Sequence, residues 1–309
     1  MISLLLLIGL LFSSSAALSS DTGLVCAIDM GSNSFKLILG EMKEGNYVQH
    51  HFTKSRLGVG DDMSKTGVIS PPKLKEIRQT LQDYLAVCDA KGIRTPSAVA
   101  TAAFREAKNQ GDVIEIAMSL NLPLEIVSEE RESQLAYLVG TLGKQNFAVI
   151  DNGSRTIELV TRAASGYQWN VFHLAYRIAF QRFFEPAKTF GEADDGYRQV
   201  SAPHLLSADF MKNRDRYTGV EMKDAARYLL SQDQVDGVLI SLDMVSRKLA
   251  ALRAMPEVEF SQLKKVENID EILPRLVVLE QTLIIFGCRA IQVFERELGV
   301  GLIVEKGVN

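Results

Sequence analysis

Ala27-Ile-Asp-Met-Gly-Ser-Asn-Ser-Phe-Lys-Leu-Ile-Leu39 and Val149-Ile-Asp-Asn-Gly-Ser-Arg-Thr-Ile-Glu-Leu-Val-Thr161 are two copies of one segment, superposable without a gap. The matched positions are Ile28/Ile150, Asp29/Asp151, Gly31/Gly153, Ser32/Ser154, Ser34/Thr156 and Leu37/Leu159. Each copy reads as an apolar strand, then Asp-x-Gly-Ser, then a second strand of alternating character, which is a β-hairpin with Gly and hydroxyl residues at its tip. Such a tip can cradle an anion, because Gly lets backbone N–H groups converge and Ser/Thr hydroxyls add donors. The Asp at the strand end is placed to hold Mg²⁺ beside that anion. Taken singly, either copy is an ordinary hairpin. Two matching copies in one chain favour phosphate binding, with the hairpins gripping a chain of phosphates across a cleft.

The 309 residues suffice for two domains, each with its own core. A hydrophobic share of 47% and a charged share of 23% describe a globular chain. The net charge of −4 argues against a nucleic-acid partner, which calls for a basic face, but leaves an anionic substrate open. Cys26, Cys88 and Cys288 match no metal-ligand spacing and no disulfide framework. They are expected as core residues, with one disulfide between two of them left open. Leu4 to Phe12 is an apolar run followed by Ser13, Ser14, Ser15, Ala16 and Ala17, which is the pattern of a signal peptide spanning residues 1–17. The alternative is a start codon placed too early. No later stretch is long and apolar enough for a transmembrane helix.

Between and beyond the two copies the pattern is α/β. Lys73 to Ala90, Val113 to Leu120 and Glu129 to Val139 are expected helices; Ser97 to Thr101 and Leu124 to Val127 are expected strands. Further on, Glu221 to Leu230, Ser241 to Leu252 and Pro274 to Leu298 are expected helices, the last buried because it is apolar on most sides. Leu302 to Val304 is an expected final strand. The division between halves falls at Gly143 and Lys144, giving domains 22–143 and 144–309.

Four ordered blocks resemble the exopolyphosphatase/guanosine-pentaphosphate phosphatase family: Ala27 to Leu37, Arg56-Leu-Gly58, Ala100-Thr-Ala-Ala-Phe-Arg-Glu-Ala-Lys-Asn109, and Ile126-Val-Ser-Glu-Glu-Arg-Glu-Ser-Gln-Leu135. The resemblance is strong over residues 24–160. It implies an α/β fold of two actin-like (ribonuclease H-like) domains flanking a central cleft, without the helical C-terminal extension of longer members. It also implies Mg²⁺-assisted removal of terminal phosphate from inorganic polyphosphate or guanosine pentaphosphate. By resemblance, Glu132 is the base that activates water. Asp29, Asp151 and Glu158 serve the metal, and Gly31, Ser32, Asn33, Ser34, Arg105, Gly153, Ser154, Arg155 and Thr156 hold phosphate.

The departures from the family pattern sharpen the alternatives. The second loop, D-x-G-G-G-S-T-E in the family, is Asp151-Asn-Gly-Ser-Arg-Thr-Ile-Glu158 here, and Arg155 either grips phosphate in place of backbone or fills the site. Arg131 replaces an acid beside Glu132, and Gln134 replaces an arginine. The family's G-x-S-G-T loop is matched to Leu239–Asp243, and its closing L-R-E-G to Val304–Gly307. The leading expectation is an active phosphohydrolase; the alternative is a member that binds polyphosphate or nucleotide without turnover. A kinase or filament former is the weakest reading. Export to the periplasm would favour polyphosphate over a cytoplasmic nucleotide signal. Lys36, Lys54, Arg56 and Arg105 are expected along its path, and a homodimer is the oligomeric expectation.

Overall fold

A computed structural model describes residues 23–308 except Arg94, Ser154, Asp215 and Glu221. The expected signal peptide, 1–17, lies outside the described residues. The first sheet comprises β1 (Val25–Met30), β2 (Ser34–Lys43), β3 (Asn46–Arg56), β4 (Ser97–Ala100) and β5 (Leu124–Ile126). Helices α1 (Val59–Met63), α2 (Pro71–Ala90), α3 (Ala102–Glu106), α4 (Gln110–Ser119) and α5 (Glu129–Thr141) accompany it. The second sheet comprises β6 (Phe147–Asn152), β7 (Ile157–Ala163), β8 (Gly166–Phe172), β9 (Arg216–Val220), β10 (Val238–Ser241) and β11 (Ala290–Val293). Its helices are α6 (Tyr176–Ala179), α7 (Phe190–Leu206), α8 (Lys223–Leu230), α9 (Leu242–Arg253), α10 (Glu257–Leu263), α11 (Ile269–Ile285) and α12 (Gly299–Val308).

The two sheets repeat one topology. The first runs β3-β2-β1-β4-β5, an antiparallel meander β1–β2–β3 with β4 and β5 added parallel to β1. The second runs β8-β7-β6-β9-β11 in the same sense and adds β10 as an antiparallel edge. This is the two-domain actin-like α/β fold that the resemblance implies. β1 and β6 are the central strands of their sheets and are buried, as their near-continuous apolar sequences require.

Helix starts follow local chemistry. Ser70 caps α2 by accepting from the Lys73 N–H, with Pro71 and Pro72 in the first turn. Ser128 caps α5 by accepting from the Arg131 N–H at 3.1 Å, and Glu129, Glu130 and Glu132 occupy the dipole's positive end.

Two expected elements change. The helix expected over Pro274–Leu298 starts at Ile269 and stops at Ile285, where Gly287 (φ 69°) turns the chain into β11. The strand expected at Leu302–Val304 lies inside α12, because a short apolar run fits a buried helix as well as a strand. This last helix packs against β1, β2 and α5, a crossing into the first half that the division at 143/144 does not include. Each sheet has its own apolar core. A third cluster, including Ala27, Ile38, Leu135, Val139, Val149, Val160, Val300 and Ile303, fills the space between the sheets around α5 and α12.

Cys26 on β1 and Cys88 on α2 are bonded, and Cys288 is a buried free thiol whose pKa is pushed up to about 12 by burial. The bridge spans 62 residues of sequence. A loop of that length contributes about 4 kcal/mol by restricting the unfolded chain. Urea unfolding with and without reductant checks this: stability drops by up to that amount on reduction, whereas identical curves, with free thiols titrated in the native protein, would contradict the bond.

Candidate active site

The two Asp-x-Gly-Ser hairpins border one cavity of about 100 Å³, lined from both halves of the chain. The tips are closed identically. The Gly31 N–H donates to Ser34 O, and the Gly153 N–H to Thr156 O, both at 3.1 Å. Asp29 pairs across its hairpin with Lys36, and Asp151 pairs with Glu158 at the equivalent register. The repeat is therefore structural, and it places a lysine on one side of the cleft where the other side has a glutamate.

Asp29, Gly31, Ser32, Asn33, Ser34, Glu132, Asp151, Gly153, Arg155, Thr156 and Glu158 all line the cavity, as do Lys36 and Lys54. Ser154 lies outside the described residues. Arg56 and Arg105 are not among the lining residues. Arg105 instead holds Glu132: its Nη1 donates to Glu132 Oε2 at 2.9 Å and to Val127 O at 2.8 Å. The Arg56-Leu-Gly58 block has a supporting role, since the Leu57 and Gly58 N–H groups donate to Asn33 O at 3.1 and 2.9 Å. Ser32 Oγ accepts from the Ala103 N–H at 3.2 Å, tying the first tip to α3.

Arg155 lines the cavity and reaches across it. Its Nη2 lies 2.5 Å from Glu106 Oε2. Two further contacts cross in the same sense, an Arg177–Asp61 ion pair at 2.8 Å and His173 Nε2 at 3.1 Å from Glu129 Oε1. One lip of the cleft thus presents acids to bases on the other. Arg131, the departure beside Glu132, forms a two-pronged ion pair with Glu305 of α12 at 2.8 and 2.7 Å, and this lowers the Glu305 pKa. Gln134 lies 3.4 Å from Glu130.

Two loop assignments are corrected. Leu239–Asp243 forms edge strand β10 and the start of α9, and none of it lines the cavity. The loop that enters from the second sheet follows β9 and brings Lys223 and Asp224. Val304–Gly307 lies in the second half of α12, whereas residues 294–298 line the cavity. The cause is topological: β9 and β11 run parallel to β6, so the chain meets the cleft beyond their C-terminal ends, at Lys223 and Asp224 and at residues 294–298.

Several lining residues were not anticipated: Thr101, Tyr176, Lys223, Glu271, Arg275 and Glu297. Arg275 carried a sequence signal, being a charge inside an apolar helix. It is buried, stacks over Tyr176 at 4.1 Å, and donates to Asn152 O (3.3 and 3.1 Å) and Glu271 (3.1 Å), which braces the end of β6 beside Gly153. Glu297, also buried, bridges Lys36 Nζ at 3.4 Å and Lys223 Nζ at 3.1 Å. Although burial opposes its charge, Lys36, Lys223 and Lys54 hold its carboxyl down at about 2.

Eight carboxylates and six Lys or Arg side chains line the cavity. Among the described residues no three His, Cys, Asp or Glu side chains stand together as a ready-made metal centre. The donor chemistry nevertheless suits a hard divalent cation, because Asp151 and Glu158 are buried carboxylates in direct cross-strand register and Asp29 faces the same space. Among the described residues no helix is long and apolar enough to cross a membrane.

The fold and cleft define a two-domain α/β protein of the actin-like type. Residues 48–166 match the sequence model of the Ppx/GppA phosphatase family. The fold is similar to crystal structures of a Ppx/GppA family member from Aquifex aeolicus (20% identity, covering 92% of this chain and 97% of that one, TM-score 0.80) and of its type II variant (21%, 92% and 99%, 0.75). It is similar too to an exopolyphosphatase from Cytophaga hutchinsonii (18%, 91% and 96%, 0.69). Over residues 48–166 the chain is thus similar in sequence to the Ppx/GppA phosphatases, and it shares its fold with these solved structures along most of its length.

A depressed carboxyl pKa stabilises the folded state above the unfolded value and ceases to do so as pH falls through the folded value. For Glu297 that window runs from about 4.5 down to about 2. Urea unfolding of wild type and Glu297→Gln should therefore give a stability gap that is full above pH 4.5 and narrows toward pH 2. A pH-independent gap would contradict the assigned ion pairs.

Proposed function

We propose that this chain is a phosphohydrolase that removes terminal phosphate from inorganic polyphosphate, with guanosine pentaphosphate as the second substrate class. One observation carries the reading: two structurally equivalent hairpin tips, a glutamate at a helix N-terminus and buried cations line the same cavity. Phosphoanhydride hydrolysis depends mainly on positioning and charge neutralisation, and these residues supply both. The hairpin tips and Lys36, Lys223 and Arg275 are placed to orient phosphate oxygens. Glu132, held by Arg105 and Ser128-capped α5, is placed to orient water and take its proton. Asp29, Asp151 and Glu158 are the residues that would hold Mg²⁺, which when bound would offset the carboxylate excess and neutralise phosphate charge.

Polyphosphate is favoured as substrate if the protein is exported, and the Cys26–Cys88 bond supports an oxidising compartment. A second reading, binding without turnover, is favoured by Arg155, which replaces a family glycine and spans the cleft to Glu106.

Phosphate release from polyphosphates of several chain lengths, with and without Mg²⁺, tests the proposal. Glu132→Gln should lower the rate about 10²–10⁴-fold while the protein stays folded and still melts in a cooperative transition. Tight binding with no release by wild type would support the second reading; an undiminished rate in Glu132→Gln would remove Glu132 from its role.

A further inference from the structure

We propose that Glu297 is an internal anion occupying a phosphate subsite between Lys36 and Lys223, so that substrate gains these lysines only by displacing it. The proposal rests on the phosphate-binding reading of the cavity and deepens it. Lys36 is buried on β2, seven residues from Asp29, whose Oδ2 it meets at 3.1 Å. Lys223 opens α8 from the opposite sheet. Glu297 bridges the two from the loop that joins β11 to α12, and the Val300 N–H donates to its carbonyl at 2.9 Å, fixing the loop at the helix start. It thereby links cations from both halves, which is the geometry of a bridging phosphate. A carboxylate has two oxygens and one charge, whereas a terminal phosphate brings three oxygens and more charge to the same ammonium groups. Both anions cannot occupy the space between the lysines. Glu297 thus neutralises the buried Lys36 and the half-buried Lys223 in the ligand-free protein, where an unpaired buried charge would be costly. The same contact lowers affinity for any anion too weak to displace it, which makes the residue a filter against single small anions and in favour of multiply charged chains.

Calorimetric titration with pyrophosphate, at fixed Mg²⁺, tests this on the full chain. Glu297→Gln should bind pyrophosphate at least ten-fold more tightly than wild type, and adding Lys223→Met should erase that gain. Glu297→Asp, whose shorter side chain withdraws the carboxylate while keeping its charge, provides a milder variant and should show a smaller gain in the same direction. Equal or weaker binding by Glu297→Gln and Glu297→Asp, or no binding by any of these proteins, would overturn the proposal. A purely structural Glu297 would lower stability without tightening binding. Phosphate release measured on the same proteins separates the two claims: tighter binding without release contradicts only the hydrolase reading, and release with unchanged affinity contradicts only the role of Glu297.

Discussion

The cleft exists because α5 and α12 can lie unusually close to each other and to the sheets they separate. A side chain at Gly140 would come within 2.6 Å of Thr218 Oγ1 and 3.0 Å of Val149, so α5 rests directly on the second sheet. One at Gly301 would fall 2.8 Å from Leu135 O, so α12 rests directly on α5. Close approach at these two positions sets the spacing between the sheets, and the Arg131–Glu305 pair fastens the same helices from outside. Each hairpin could form on its own sheet; only this spacing brings both tips to one cavity.

Charge is then arranged around that geometry. The cavity holds more carboxylates than cations, and its one buried lysine, Lys36, is engaged by acids from both halves, Asp29 and Glu297. Across the lips, Asp61, Glu106 and Glu129 meet Arg177, Arg155 and His173. The departures from the family pattern fall into this scheme. Arg131 and Arg155 each have an acidic partner here, Glu305 on α12 and Glu106 across the cleft.

The hairpins, the acids at their strand ends and Glu132 were legible in the sequence because a repeat and a local motif each lie within a dozen residues. The fold class followed from them. Glu297 and Lys223 were not legible, since neither sits in a repeated segment and their value comes only from meeting Lys36 across the sheets. The crossing of α12 was hidden for a related reason: the apolar run from Leu298 to Val304 says that it is buried, not against what or in which conformation. Arg105 is marked by its motif, but the motif does not disclose that its guanidinium donates to Glu132. The pairing of Cys26 with Cys88 required the fold, which sets β1 beneath α2.

The central claim is that both hairpins grip one anion. Amide hydrogen exchange, followed by mass spectrometry with and without Mg²⁺ and tripolyphosphate, addresses it directly. The account predicts slowed exchange at residues 31–34 and 153–156 together, over the same ligand concentrations. Protection of one hairpin alone, or of neither while ligand is bound, would contradict it.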